Sequence, residues 1–259
     1  MNRIKVKDIL NTKSKKKIIC LTSYTKNFSQ ILDKYCDIIL VGDSVSMVLY
    51  GMPNTREITL ETMMLHAKTV KKYTKRSLVV FDMPFRSYRN KYLAYKNAKR
   101  VIKETKCDAV KLEGGIEIAK TIKHLTQKGI SVMGHIGLLP QNSKNFKLQG
   151  KTIMQKKKIF NDAISVFKAG AFSLVIECVV ESLAKKITKS IPIPTIGIGA
   201  SKHCDGQILV TEDMIGLTDF SPKFVKKYSN IRKIIEKSVK RYSDDIRNQK
   251  FPSSQNVYS

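Results

Sequence analysis

The chain has 259 residues, of which 42% are hydrophobic, enough for one full apolar core of the size that single α/β barrels use. Its formal charge is +27, but the lysines are spread over nearly every helical segment, as in KKYTKRS, YKNAKRVIKETK and KKYSNIRKIIEKSVKR, with no zinc-finger, RNP-like or Gly-Arg stretch to read bases. We read this as a Lys-, Ile- and Asn-leaning composition of solvated faces, and it argues against nucleic acid as a partner.

No apolar run approaches the roughly 20 residues that span a bilayer, and the opening MNRIKVKDILNTKSKKK has no apolar segment that could act as a signal peptide. Cys20, Cys36, Cys107, Cys178 and Cys204 are odd in number, scattered and free of any CxxC pair, so reduced thiols are expected rather than disulfides or a zinc site. A soluble, cytoplasmic protein without a membrane partner is the expectation.

In chain order, eight short apolar runs recur, each bounded by Gly, Pro or charge: IICLTSY (18–24), DIILVGD (37–43), SLVVFDMP (77–84), DAVKLEG (108–114), ISVMGHIG (130–137), FSLVIEC (172–178), PTIGIG (194–199) and QILVTED (207–213). Strands buried on both faces of a parallel sheet read this way. Helical periodicity fills most of the gaps. Leu60, Met63, Met64, Ala67 and Val70 share one face behind Thr59 as N-cap; Ile159, Phe160, Ala163, Ile164 and Phe167 share another, closed by Gly170. The connections after Glu177 and after Gly199 are expected to carry no full-length helix. The last periodic stretch places Tyr228, Ile231, Ile235, Val239 and Tyr242 on one face and is expected to dock. Residues 1–246 then form a single (β/α)8 TIM-barrel domain, and 247–259 a frayed polar tail. An open doubly wound sheet fits the same pattern, because periodicity does not see closure.

Chemistry shows at the strand ends. A carboxylate or imidazole in an apolar run is costly to bury unless paired or metal-bound, and barrel active sites lie at the C-terminal ends of the strands. Asp43, Asp82, Glu113, His135 and Glu177 end five of the runs, with Lys111 two residues before Glu113. Singly, each has a plainer explanation: either Asp could cap the following turn, Glu113 could pair with Lys111, and His135 could be a satisfied core histidine. Five such groups at one end of one barrel are better explained by a shared ligand. Asp43, Asp82 and Glu113 are hard oxygen donors, which suits magnesium rather than zinc.

VGDSVSMVLYG with ITLETMMLH, then FDMPF, VKLEGG, VMGHIGLLPQ, VIECV, PTIGIGA, CDGQILV and PKFVKKY resemble, in that order, the motifs of the ketopantoate hydroxymethyltransferase family. The resemblance implies a (β/α)8 barrel, a homodecamer of two pentamers, and transfer of a hydroxymethyl group from 5,10-methylenetetrahydrofolate to the small 2-oxo acid 3-methyl-2-oxobutanoate through a magnesium-stabilised enolate. The product would be 2-dehydropantoate, on the route to pantothenate. By motif, Asp43 and Asp82 would bind Mg2+, with Glu113 as a third ligand or just behind the ligands. Asp43, Ser44, Asp82, Lys111 and His135 would surround the substrate, Ser44 and Lys111 holding its carboxylate and keto oxygen. Glu177 would be the catalytic base that removes the proton from carbon 3.

The chain departs from the family pattern in places. Arg86 stands in FRSY where FGSY is common, Leu139 replaces a threonine in IGLLPQ, and Ser201 replaces a glycine. None of the expected metal ligands, and not the base, is changed. A magnesium-enolate lyase is the competing enzyme reading. GIGAS before CDGQ is read as a glycine-lined turn rather than a phosphate cradle, since no helical pattern follows it.

Overall fold

A computed structural model describes residues 2–143 and 147–258. Eight parallel strands run as β1 Ile18–Thr22, β2 Ile38–Val41, β3 Leu78–Asp82, β4 Ala109–Glu113, β5 Val132–Gly137, β6 Ser173–Glu177, β7 Thr195–Ile198 and β8 Gly206–Leu209. Each lies inside or at the edge of one of the eight apolar runs. They pair in sequence order, and β8 returns to β1 with Ile18 opposite Gly206, so the sheet closes into a barrel and the open alternative falls away. The helices are α1 Val6–Leu10, α2 Lys26–Leu32, α3 Val45–Val48, α4 Leu60–Tyr73, α5 Lys91–Thr105, α6 Ala119–Gln127, α7 Ile153–Lys168, α8 Glu181–Ser190, α9 Thr211–Met214 and α10 Ile231–Arg247.

The two-residue alternation of the strands divides the core in two. Ile39, Val41, Val79, Phe81, Val110, Leu112, Leu174 and Ile176 face outward, against the buried stripes of α4 to α8. Ile18, Cys20, Ile38, Leu40, Leu78, Val80, Ala109, Met133, Val175, Ile196 and Ile208 fill the barrel interior, and Ile9 of α1 packs among them from the N-terminal end. With each buried Val, Leu or Ile contributing about 1.5–3 kcal/mol, these layers can carry a polar layer above them.

Local signals act as their chemistry predicts. Thr59 Oγ1 accepts from the Thr62 N–H at 3.2 Å to start α4, and Gly170, at φ +92°, follows the end of α7. The connection from β7 to β8 contains no helix, as expected, but α8 corrects the reading after Glu177. Only Cys178 to Val180 separate β6 from a ten-residue helix that buries Leu183, Ala184 and Ile187. Its stripe is brief, because so tight a turn leaves only three turns of helix.

Two compact units are distinguished, Met1–Val210, which contains the barrel, and Thr211–Ser259. Within the second, the Tyr228 N–H donates to the Met214 carbonyl and the Ile231 N–H to that of Ile215, joining the segment before α10 to α9. The apolar face expected to dock is left uncovered within this unit: α10 has no buried residue, and Ile235, Val239 and Tyr242 are 46%, 61% and 58% exposed. A 3.6-residue stripe establishes an apolar face, not what covers it. Among the described residues, no helix is long and apolar enough to cross a membrane.

Candidate active site

The period that packs the barrel interior also builds the site. Continuing the inward positions up each strand, Leu78 and Val80 lead to Asp82, Ala109 to Lys111 and Glu113, Met133 to His135, and Val175 to Glu177. Strand register sets Asp82 beside Lys111 and Glu113 beside His135. The result is a row of alternating charge. Lys111 Nζ donates to Asp82 Oδ1 and Oδ2 at 2.8 and 2.7 Å and lies 3.8 Å from Glu113 Oε1; His135 Nδ1 is 3.5 Å from the same Glu113 oxygen, and Nε2 is 3.1 Å from Glu177 Oε2. Asp43 arrives from the turn after β2, its backbone N–H donating to Asp82 Oδ2 at 3.3 Å. The structure therefore brings together Asp43, Asp82, Lys111, Glu113, His135 and Glu177, all of them buried. Ser44, half-buried next to Asp43, pairs with the Tyr24 hydroxyl at 2.8 Å.

Burial and mutual repulsion shape the ionisation. Desolvation, then the charges of Asp82 and Glu113, raises the Asp43 carboxyl well above the ordinary range. Asp82 is also raised by burial, against the pull of Lys111. Burial opposes ionisation of Glu113 too, but His135 and Lys111 outweigh it and hold that carboxyl low. Burial and the Lys111 charge disfavour a protonated His135; Glu113 and Glu177 prevail and lift it to about 9, so the ring is cationic at neutral pH. Neither ring nitrogen is aligned for a full hydrogen bond, so these contacts act mainly through charge.

Burial and mutual repulsion thus make full ionisation of Asp43 and Asp82 costly on their own. A divalent hard cation would relieve that cost, and the all-oxygen donors of the two residues fit one that keeps most of its coordination for water and substrate. Among the described residues, no three His, Cys, Asp or Glu side chains stand as a ready metal cage. Lys111 takes both Asp82 oxygens, while Gln141 takes Asp43 Oδ2 and Glu113 Oε2.

Gln141 is the residue that the strand-end argument misses. Buried in the loop after β5, it donates from Nε2 to Asp43 Oδ2 and the Met83 carbonyl and from its backbone N–H to Glu113 Oε2. It accepts from the Tyr88 hydroxyl at 2.6 Å and, through its carbonyl, from Arg56 Nε at 2.9 Å. Its only sequence signal is its place in the LLPQ motif. Near Glu177 the backbone is specialised. A Cβ on Gly137, at φ +94°, would lie 2.3 Å from the Glu177 carbonyl oxygen, and Cys178 sits at φ +49°, a left-handed position costing a side-chain-bearing residue about 1–2 kcal/mol.

The fold resembles that of solved structures including phosphonopyruvate hydrolase in complex with oxalate and Mg++ (TM-score 0.64, 11% identity, 97% of this chain and 92% of that one). Another is 2,3-dimethylmalate lyase, a PEP mutase/isocitrate lyase superfamily member (TM-score 0.59, 10% identity, 98% and 93%). At such identity the likeness concerns the barrel alone. In sequence, the chain is 49% identical over 258 residues to the 3-methyl-2-oxobutanoate hydroxymethyltransferase of Pelagibacter ubique, covering 100% of both. It is 48% identical to that of Anaplasma marginale, over 99% of this chain and 94% of the relative. With the profile of the same family matching residues 3–254, the chain belongs to the ketopantoate hydroxymethyltransferase family.

Proposed function

We infer that this chain transfers a hydroxymethyl group to carbon 3 of 3-methyl-2-oxobutanoate, giving 2-dehydropantoate, with 5,10-methylenetetrahydrofolate as the one-carbon donor. The observation that carries the reading is Glu177, held 3.1 Å from a cationic His135 at the end of a charge row that terminates in Asp82. Glu177 takes the carbon-3 proton, and His135 positions its carboxylate by charge. Lys111 and Ser44 hold the keto oxygen and carboxylate of the substrate. Asp43 and Asp82 would hold magnesium, with Glu113 behind them; once bound, the ion supplies a Lewis acid that makes the adjacent C–H acidic enough for a carboxylate base. Water adds to the methylene carbon of the donor and its bonds to the folate nitrogens break, releasing tetrahydrofolate and a formaldehyde-level unit; the carbanion bonds to that carbon, and the resulting alkoxide takes up a proton to become the hydroxymethyl group.

The setting we propose is cytoplasmic, and the assembly a decamer of two pentamers. The exposed apolar face of α10 supports self-association.

The test separates proton abstraction from transfer. With Mg2+ and 3-methyl-2-oxobutanoate in deuterated water, the purified chain should exchange the carbon-3 proton; adding the folate donor should yield 2-dehydropantoate. Absence of both overturns the reading.

A further inference from the structure

A serine hydroxyl can settle in any of its staggered positions, and holding a carboxylate requires Ser44 to keep one of them. Two neighbours narrow the choice. A Cβ on Gly42 would come within 2.9 Å of Ser44 Oγ, so the glycine leaves that space to the hydroxyl. From the other side, the Tyr24 hydroxyl meets Ser44 Oγ at 2.8 Å. Tyr24 stands just past the end of β1 and is 1% exposed, among the largest fully buried side chains of the chain. It is held in turn by His66 of α4, which closes the ITLETMMLH motif and which the charge-row chemistry leaves without a role. His66 Nδ1 lies 2.8 Å from the Tyr24 carbonyl oxygen, and the imidazole packs edge-on to the Tyr24 ring with centroids 6.3 Å apart. Its Nε2 lies 2.9 Å from the hydroxyl of Tyr50, which is exposed.

The partners fix the protons. A carbonyl only accepts, so Nδ1 carries the hydrogen, and Nε2 of the neutral ring accepts from Tyr50. Because His66 meets the carbonyl of Tyr24 and not its hydroxyl, these contacts form no proton path to Ser44, and the effect is geometric. A phenol donating to Ser44 Oγ leaves the serine's own hydrogen for an incoming carboxylate oxygen. We propose that Tyr24 and His66 are positioning residues for the substrate: His66 anchors the backbone of Tyr24, and Tyr24 aims Ser44 at the carboxylate of the 2-oxo acid. This inference rests on the role given to Ser44 in the functional reading above.

The test is the concentration dependence of carbon-3 proton exchange in deuterated water, with Mg2+ and 3-methyl-2-oxobutanoate and without folate. Carboxylate binding that is equal in the ground and transition states sets KM and not kcat. Tyr24→Phe should therefore raise KM roughly 3- to 10-fold, as loss of one neutral hydrogen bond gives, and lower kcat by less than about twofold. In a Ser44→Ala background the same change should leave KM where Ser44→Ala alone puts it, because Tyr24 acts through Ser44. Two amides separate the ring nitrogens. His66→Asn places a donor where Nδ1 stands and should keep the wild-type KM, whereas His66→Gln reaches only the Nε2 position and should raise KM as Tyr24→Phe does. A wild-type KM in Tyr24→Phe, a Tyr24 effect that persists in full without the Ser44 hydroxyl, or rescue by His66→Gln where His66→Asn fails overturns the inference. Any of these in a chain that exchanges the proton defeats the positioning role alone; no exchange by the wild type defeats the functional reading beneath it.

Discussion

Gln141 Nε2 donates to Asp43 Oδ2 at 2.8 Å, tying the loop after β5 to the acid after β2 across 98 positions of sequence. The same amide reaches the Met83 carbonyl at 3.0 Å, and the backbone N–H of Gln141 holds Glu113 Oε2. One loop residue therefore sets three walls of the site. Gln141→Met keeps the length and removes the donor, stranding a buried carboxylate oxygen and a carbonyl. We expect stability to fall by about 1–3 kcal/mol and magnesium affinity by roughly 10- to 100-fold. Urea unfolding and calorimetric titration would check this; wild-type values in both would remove Gln141 from the positioning role.

Lys111 grips both oxygens of Asp82 where neither residue meets water. Removing one partner leaves an uncompensated buried charge. Lys111→Met should cost about 3–5 kcal/mol, and Asp82→Ala with Lys111→Met together less than the sum of the single changes, since the pair's attraction is counted in both. Strict additivity in a urea double-mutant cycle would contradict the coupling. Asp82→Ala should also weaken magnesium binding steeply.

Glu177→Gln preserves shape and removes the base. Because Glu177 contacts His135 and is not among the acids nearest Lys111, the variant should still bind 3-methyl-2-oxobutanoate while carbon-3 proton exchange slows by about 10²- to 10⁴-fold. Exchange at the wild-type rate would assign proton removal to another group.

Much of this was legible in the sequence because strand alternation is a short-range rule. Once Val80 and Val175 face the axis, Asp82 and Glu177 must as well, and the eight runs locate the strands without any knowledge of closure. Gln141 was not legible, since a loop residue has no period and its partners lie 98, 58 and 28 positions away. Neither was the exposure of α10, whose stripe of Ile235, Val239 and Tyr242 reads the same whether covered or bare. α8 escaped for a third reason: Leu183, Ala184 and Ile187 make a helical face too brief to stand out beside a strand only three residues away.

Ile234, Ile235, Val239, Tyr242 and Ile246 all lie between 43% and 61% exposed on α10. A monomer seldom leaves so continuous an apolar stripe to water. The chain should therefore run well above 29.4 kDa in light scattering at micromolar concentration. Ile235→Asp with Val239→Asp should shift it to smaller species with the barrel still folded by circular dichroism. A wild-type monomer, or an assembly indifferent to both charges, would rule out this face as the contact.

Glu212 is 1% exposed, and among the described residues neither carboxylate oxygen has a hydrogen-bond partner. Burial, with the Asp213 charge adding to it, raises its pKa from 4.5 to about 7. Below pH 4.5 the group is protonated in folded and unfolded chains alike and does not tilt the balance. Between 4.5 and 7 the unfolded chain gives up the proton while the native chain keeps it, so stability falls as pH rises. Above 7 the loss is complete, on the order of 3 kcal/mol. Glu212→Gln has no proton to release. Relative to wild type it should therefore gain stability progressively from pH 4.5 to 7 and hold that gain at pH 8, as read from urea midpoints across the range. Parallel curves for the two proteins would mean that this carboxylate finds a partner in solution.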